Sequence, residues 1–301
     1  MTNASLRQHK LNITLVAMYK NFRLSLLNLS MILIIAAIMV GCEKEYFLDP
    51  NPAGSMVVIE GIVTDLPGYQ FVKITRNAGF YDTGQTPRIT DATVTVTDNL
   101  GNITAFVHNP RNHPDSAGYY KPVAGFIGNV GRTYKVEVAA DGKVFEGEDT
   151  LYPVTPIDSL EFNIAEDEYS DPEHPGRFYE VLIYTREPKE TKDFYLFNFY
   201  RNDSLTVDNP TDIFYTDDVL LGESIDGFAA PIYFSSGDKA TVQALSISRT
   251  AYVFYSDLYN LLNNDGGMYS PPPANCRNNL SNGALGFFQA SAVSMMDISI
   301  E

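Results

Sequence analysis

From residue 56 onward, apolar and polar residues alternate in short runs separated by turn formers, the pattern of strands with one face buried and one wet. The first run is Met56 to Thr64 (MVVIEGIVT). Val72-Lys73-Ile74-Thr75 and Ala92 to Thr97 alternate in the same way, and Asp98-Asn99-Leu100-Gly101 is a turn leading into Ile103 to Val107. Gly118-Tyr119-Tyr120 is a short strand. Arg132 to Ala139 puts Tyr134, Val136 and Val138 on one face, and Asp141-Gly142 is a hairpin signal that returns the chain through Lys143-Val144-Phe145. Such closely spaced strands over residues 56–152 predict a β-sandwich.

Leu151 to Ile157 (LYPVTPI) carries two prolines and marks the expected boundary with a second β-rich domain, residues 153–301. Its strongest strand signals are Tyr179 to Thr185 (YEVLIYT) and Phe194 to Tyr200 (FYLFNFY), with a charged turn between them that predicts a hairpin. Ile213-Phe214-Tyr215, Ile232-Tyr233-Phe234, Ala240 to Ser248 and Phe287 to Ser294 are further strands. One helix is expected over 249–264, where Phe254, Leu258, Leu261 and Leu262 recur at helical spacing, covering an edge or face of the second sheet. The predicted fold is therefore mostly β, in two halves, with one helix.

The first 41 residues have another character. Residues 24–41 (LSLLNLSMILIIAAIMVG) are uncharged, Arg7, Lys10, Lys20 and Arg23 precede them, and no acid occurs before Glu43. A basic start, an apolar stretch and a small residue before a cut make a signal-peptide pattern. Met39-Val40-Gly41-Cys42 resembles a lipobox, with Met39 standing where Leu, Val or Ile is usual. The expectation is removal of residues 1–41, acylation of Cys42 (palmitate among the chains) and a tether over 42–55; several acyl chains hold a protein stably on a membrane. The alternative is an uncleaved anchor. A start at Met18 would give a leader of ordinary length.

Composition narrows the chemistry. Of 301 residues, 21 are Lys or Arg and 37 Asp or Glu, so the formal charge is −16; loss of four basic residues with the leader makes it −20. Such a surface does not track a nucleic-acid backbone. Two cysteines and four histidines exclude a disulfide scaffold and a multi-cysteine zinc module. With Cys42 acylated, Cys276 is left as a small buried residue.

No Gly-x-Ser-x-Gly elbow occurs, and no enzyme is expected. His108 and His113 could hold a metal with Asp115, but their loop offers no groups to orient the rings, so solvated histidines, and no metal, are expected. Gly125, Gly128 and Gly131 lack the strand-to-helix setting of a phosphate cradle and read as a turn. Glu166-Asp167-Glu168 and Asp217-Asp218 lack the spacing of a calcium loop, and a hydrated surface is expected. No cofactor is called for. The aromatic run Phe194 to Tyr200 is apolar on both faces, as in a central, covered strand. Tyr252, Tyr255 and Tyr259 form a helical stripe; they either widen the buried face or, if exposed, contact a ligand or partner.

Several strings together then suggest a family: the lipobox and Glu43-Lys44-Glu45, Val57 to Asp65, Asp91-Ala92-Thr93-Val94, Gly131-Arg132-Thr133-Tyr134, Pro156 to Leu160, and Asn282 to Phe288. In this order and spacing they resemble the Bacteroidota outer-membrane lipoprotein family known as domain of unknown function 4249, over nearly all of the chain beyond the leader. One departure is Gln289, where a small residue is expected. The resemblance implies an immunoglobulin-like or transthyretin-like sandwich in the first half, an outer-membrane location on the cell surface, and a role beside a TonB-dependent receptor, capturing a ligand or capping the transporter. The alternative is a structural or adhesive surface protein with no transport role. Four Asp-Ser/Thr-small-or-apolar triplets, at Asp115, Asp149, Asp158 and Asp203, are similar to O-glycosylation sites of Bacteroidota envelope proteins.

Overall fold

A computed structural model describes residues 31, 55–78, 84–123, 125–164, 176, 178–186, 191–207, 209, 211–217, 225–264 and 274–301. The expected leader and tether, Cys42 included, lie outside the described residues except for Met31 and Ser55. So do Glu166-Asp167-Glu168, Asp171 to His174, Asp218 and Pro271-Pro272-Pro273. Among the described residues the chain is mostly β, with sixteen strands and one α-helix. None of their helices is long and apolar enough to cross a membrane.

The first seven strands follow the alternating runs to within a few residues: β1 (Val57–Thr64), β2 (Phe71–Arg76), β3 (Thr93–Asp98), β4 (Ile103–His108), β5 (Tyr119–Pro122), β6 (Thr133–Ala140) and β7 (Lys143–Thr150). Every second side chain of β1, β3 and β6 points inward, and Ile59, Val72, Ile74, Val136 and Val138 are fully buried. Each such side chain contributes about 1.5–3 kcal/mol by leaving water. β6 and β7 are joined by Asp141-Gly142, both with positive φ, which suits the twist of a two-residue hairpin. At the β3–β4 turn the Asp98 carboxylate accepts hydrogen bonds from the Leu100 and Asn102 amides and from the Asn102 side chain, and pairs with Arg132 at 2.7 Å. These contacts, Asn102 foremost, hold its carboxyl below the usual range.

All seven strands belong to one continuous sheet rather than to two separate ones, and its eighth member comes from the far end of the chain. Strand β15 (Leu285–Ser291) runs parallel to β1, in register from Val58 opposite Leu285 to Thr64 opposite Ser291. The chain thus crosses back over the expected boundary at residues 152–153. Gly286 permits this pairing: its φ is +95°, and a Cβ there would lie 2.2 Å from the Ile59 carbonyl oxygen. The sheet curls until its edges nearly meet. Asn279 spans the gap, donating to the carbonyls of Glu148 on β7 and Phe288 on β15, and Asp149 accepts from the Ala290 amide.

A second core lies between two smaller sheets. One joins β8 (Ser159–Ile164), β9 (Tyr179–Thr185) and β13 (Ile225–Ala229); the other holds β10 (Phe194–Arg201), β11 (Ser204–Leu205), β12 (Phe214–Asp217), β14 (Lys239–Ser246) and β16 (Val293–Ser299). Val181 and Ile183 of β9 share this core with Phe197 and Phe199 of β10 and Val242 and Ala244 of β14. The expected hairpin between the Tyr179 and Phe194 runs does not form. β9 bonds to β8 and β13, while β10 bonds to β14 and to β11 and β12, so each strand has its edges taken by others. Ile232-Tyr233-Phe234 is not a strand; only Phe234 makes a bridge, to Tyr179. The final apolar run is two strands, β15 in the first sheet and β16 in the second.

The helix, α1 (Arg249–Leu262), is capped by Ser248, whose hydroxyl accepts from the Ala251 amide. It packs on β10, β12 and β15, and so covers strands of the first sheet and of the five-stranded one. A small third core of Leu196, Leu245, Ile247, Ala251 and Phe287 lies beneath it.

Candidate functional site

Where α1, the first sheet and the outer face of the β10–β14 sheet meet, two adjoining cavities open. The first, about 480 Å³, lies between α1, the β1–β15 pair and the segment 275–278. The second, about 460 Å³, lies between the end of the β1–β2 pair, at Ile62 to Phe71, and the face of β10 and β14 turned away from the second core. Ile62, Phe71, Tyr255 and Gln289 line both and form the wall between them. Each volume is in the range of small-molecule sites.

Strand parity builds the second cavity. Tyr195, Phe197 and Phe199 point into the second core, so Leu196, Asn198 and Tyr200 point the other way; on β14 the same holds for Gln243 and Leu245 against Val242 and Ala244. Asn198 and Gln243 are directly opposite in the ladder. The Gln243 side-chain oxygen accepts from Asn198 Nδ2 at 2.9 Å and from the Tyr200 hydroxyl at 3.2 Å. Gln243 is only 2% exposed. Both lone pairs of its oxygen are used, while its Nε2 and the Asn198 Oδ1 make no hydrogen bond to the described residues. Tyr69, Leu205 and Val207 are exposed around the opening.

The dividing wall is polar at its centre. The Tyr255 hydroxyl donates to Gln289 Oε1 at 2.6 Å, and Gln289 Nε2 donates to the Ser291 hydroxyl at 2.7 Å. Burial, with Asp149 nearby, pushes the Tyr255 phenol upward. Asp149 is itself buried at the end of β7. Its pKa rises from 3.8 to about 6 because of burial, against which hydrogen bonds from Ala290, the Ser248 hydroxyl and Thr150 act only partly. In the first cavity, Arg277 grips Asp257 of α1 through its backbone amide, Nε and a terminal nitrogen, fastening the 275–278 segment to the helix. Cys276 lines this cavity, half-buried, and its thiol is pushed up by burial and by Asp257. The expectation of a buried cysteine is corrected to that extent: a cavity lies against it.

The three tyrosines of the helical stripe are separated by the fold. Tyr255 lines both cavities. Tyr252 packs on Phe194 and Tyr215, with ring centroids 4.9 and 5.2 Å away, in the small core. Tyr259 is 40% exposed near the helix end. Leu258 and Leu261, expected on the covered face of the helix, overhang the first cavity. Gln289, a polar residue after two phenylalanines where a small one is expected, is the hydrogen-bonding centre of the wall. Asn198 and Gln243 escaped sequence reasoning, although each is a lone amide inside an otherwise apolar run, and that was the available signal.

The other sequence candidates lie elsewhere. His108 Nε2 accepts from the Gly118 amide at 3.0 Å, and His113 Nδ1 accepts from the Asp115 amide at 3.3 Å, so each ring serves its own loop. Among the described residues, no three His, Cys, Asp or Glu side chains gather as metal ligands would. Asp217 ends β12, half-buried. Of the Asp-Ser/Thr triplets, Asp203-Ser204-Leu205 is exposed on a hairpin, whereas Asp149 and Leu151 are buried and the Thr150 hydroxyl bonds to that of Thr133.

The family model described as Domain of unknown function (DUF4249) matches residues 43–297. None of the curated proteins matches the chain.

Proposed function

The chain belongs to the DUF4249 family, and from that premise we propose that it is a lipid-anchored binding protein of the bacterial outer membrane that captures a ligand for a TonB-dependent uptake system. Acyl chains on Cys42 hold it to the membrane, and its net negative surface faces outward. The uncharged run 24–41 ahead of Gly41-Cys42 supports the anchor. The cleft between the helix and the two sheets supports the binding role, and it is the observation that carries the reading: two cavities of ligand size share one wall, with a buried amide pair at the floor of one of them. A binding role is favoured over catalysis because, among the described residues, no histidine lines either cavity, and burial and Asp257 push the Cys276 thiol up, away from the reactive thiolate.

The test is an affinity pull-down of the mature, acylated protein from detergent-solubilised outer membrane, with the recovered proteins identified by mass spectrometry. A TonB-dependent receptor recovered in stoichiometric amount is the expected result. Recovery of no transporter, under conditions where a known receptor–lipoprotein pair survives, sinks the accessory role and leaves the structural or adhesive one.

A further inference from the structure

The second cavity has a chemistry that specifies its guest more narrowly than size does. Its lining is apolar and aromatic, from Ile62, Phe71, Leu196 and Leu245 among others, and among the described residues no lysine, arginine or histidine is part of it. Among the described residues of the lining, the one carboxylate is Asp212; Glu60 lines the first cavity next door. An anion placed there would give up its hydration for no compensating positive charge, and would sit in the field of a chain with a formal charge of −16.

The polar groups at the floor are neutral and asymmetric. Asn198 and Gln243 spend one bond on each other, Tyr200 takes the remaining lone pair of the Gln243 oxygen, and Gln243 is 98% buried. What is left facing the cavity is a donor, the Gln243 carboxamide nitrogen, beside an acceptor, the Asn198 carboxamide oxygen. A buried carboxamide with unspent hydrogen-bonding capacity costs stability unless something fills it, whether water or a guest. Two strands that could have carried apolar residues at these positions, as they do on their other face, instead carry this pair.

We propose that the second cavity binds a neutral amphiphile: a flat or branched apolar body seated against Ile62 and Phe71, with one uncharged head, such as an amide or hydroxyl, that accepts from Gln243 Nε2 and donates to Asn198 Oδ1. The proposal names the ligand class for the capture role above and rests on that reading for its biological use, but not for its test.

The test uses the purified protein and two probes that differ in the charge of one group. Dansylamide has a flat apolar body and a neutral sulfonamide with donors and acceptors; the corresponding dansyl sulfonate has the same rings and a negative head. Fluorescence titration is expected to give saturable dansylamide binding near one probe per chain, with blue-shifted emission, and sulfonate binding weaker by about tenfold or more. Gln243→Leu should weaken dansylamide by about fivefold, the loss of one hydrogen bond, and Ile62→Trp should block the cavity and abolish binding. Asn198→Ala is the second variant should Gln243→Leu fail to unfold cooperatively. Equal or tighter binding of the sulfonate, dansylamide binding unchanged by Ile62→Trp, or no binding of dansylamide at all would overturn the assignment. A receptor recovered in the pull-down with no dansylamide binding leaves the accessory role and removes the ligand class; the reverse pair of results does the opposite.

Discussion

β10 and β14 are two adjacent strands with two differently built faces. Tyr195, Phe197 and Phe199 with Ala240, Val242 and Ala244 fill the inner one against β9, and each is 7% exposed or less. The outer face sets Asn198, Tyr200 and Gln243 over a cavity of about 460 Å³. The backbone, the register and the twist are shared, so the difference lies wholly in which residues occupy odd and even positions. A strand built only for stability would be apolar on both faces once both were covered. The amides on one face are spent on something other than packing, and polar burial continues from there through the Tyr255–Gln289 wall to Asp149.

The comparison is broken most severely from the filled side. Phe199→Ala removes a ring that is 1% exposed and packed against Phe197 and Phe214, and should cost about 3–5 kcal/mol, read as a large drop in Tm. It is sharpened next at the polar seam. The Asp149 carboxyl is raised from 3.8 to about 6 in the fold. Well below pH 3.8 it is protonated folded and unfolded alike, and its burial carries no charge penalty. As pH rises to about 6 the unfolded chain loses that proton first, and stability falls by about 3 kcal/mol. Asp149→Asn should therefore show its smallest gain over the parent at about pH 3 or below and a gain of up to about 3 kcal/mol above pH 6, measured by urea unfolding across that range. A pH-independent difference would contradict it. The smallest effect belongs to the cavity face itself: Tyr200→Phe removes one hydrogen bond to Gln243 and should cost about 1 kcal/mol, because the freed lone pair can turn to the cavity.

Much of the fold was legible in the sequence because its rules are local. Val94 and Val96, or Val136 and Val138, alternate with polar neighbours over one strand. Asp141-Gly142 specifies a hairpin in two residues, and the spacing of Phe254, Leu258, Leu261 and Leu262 specifies a helix. What was not legible is long-range. β15 pairs with β1 in parallel across more than two-thirds of the chain, and nothing in LGFFQAS names its partner; the glycine at 286 becomes explicable only beside the Ile59 carbonyl. The charged turn before Phe194 reads as a hairpin, yet both flanking strands had better partners elsewhere. The site was half legible for the same reason. Tyr255 and Gln289 each stood out, one as part of a stripe and one as a polar residue where a small one is expected, but only the fold brings them into contact. Asn198 and Gln243 were visible as lone amides in apolar strings, and their pairing across β10 and β14 was not.

The most direct measurement of the central claim is a crystal structure of the protein with dansylamide bound. The account predicts one probe in the second cavity, its rings against Ile62 and Phe71, a sulfonamide oxygen within hydrogen-bond distance of Gln243 Nε2 and the sulfonamide nitrogen facing Asn198 Oδ1. A probe seated elsewhere while that cavity holds only water, or a cavity closed by its own side chains, would contradict it.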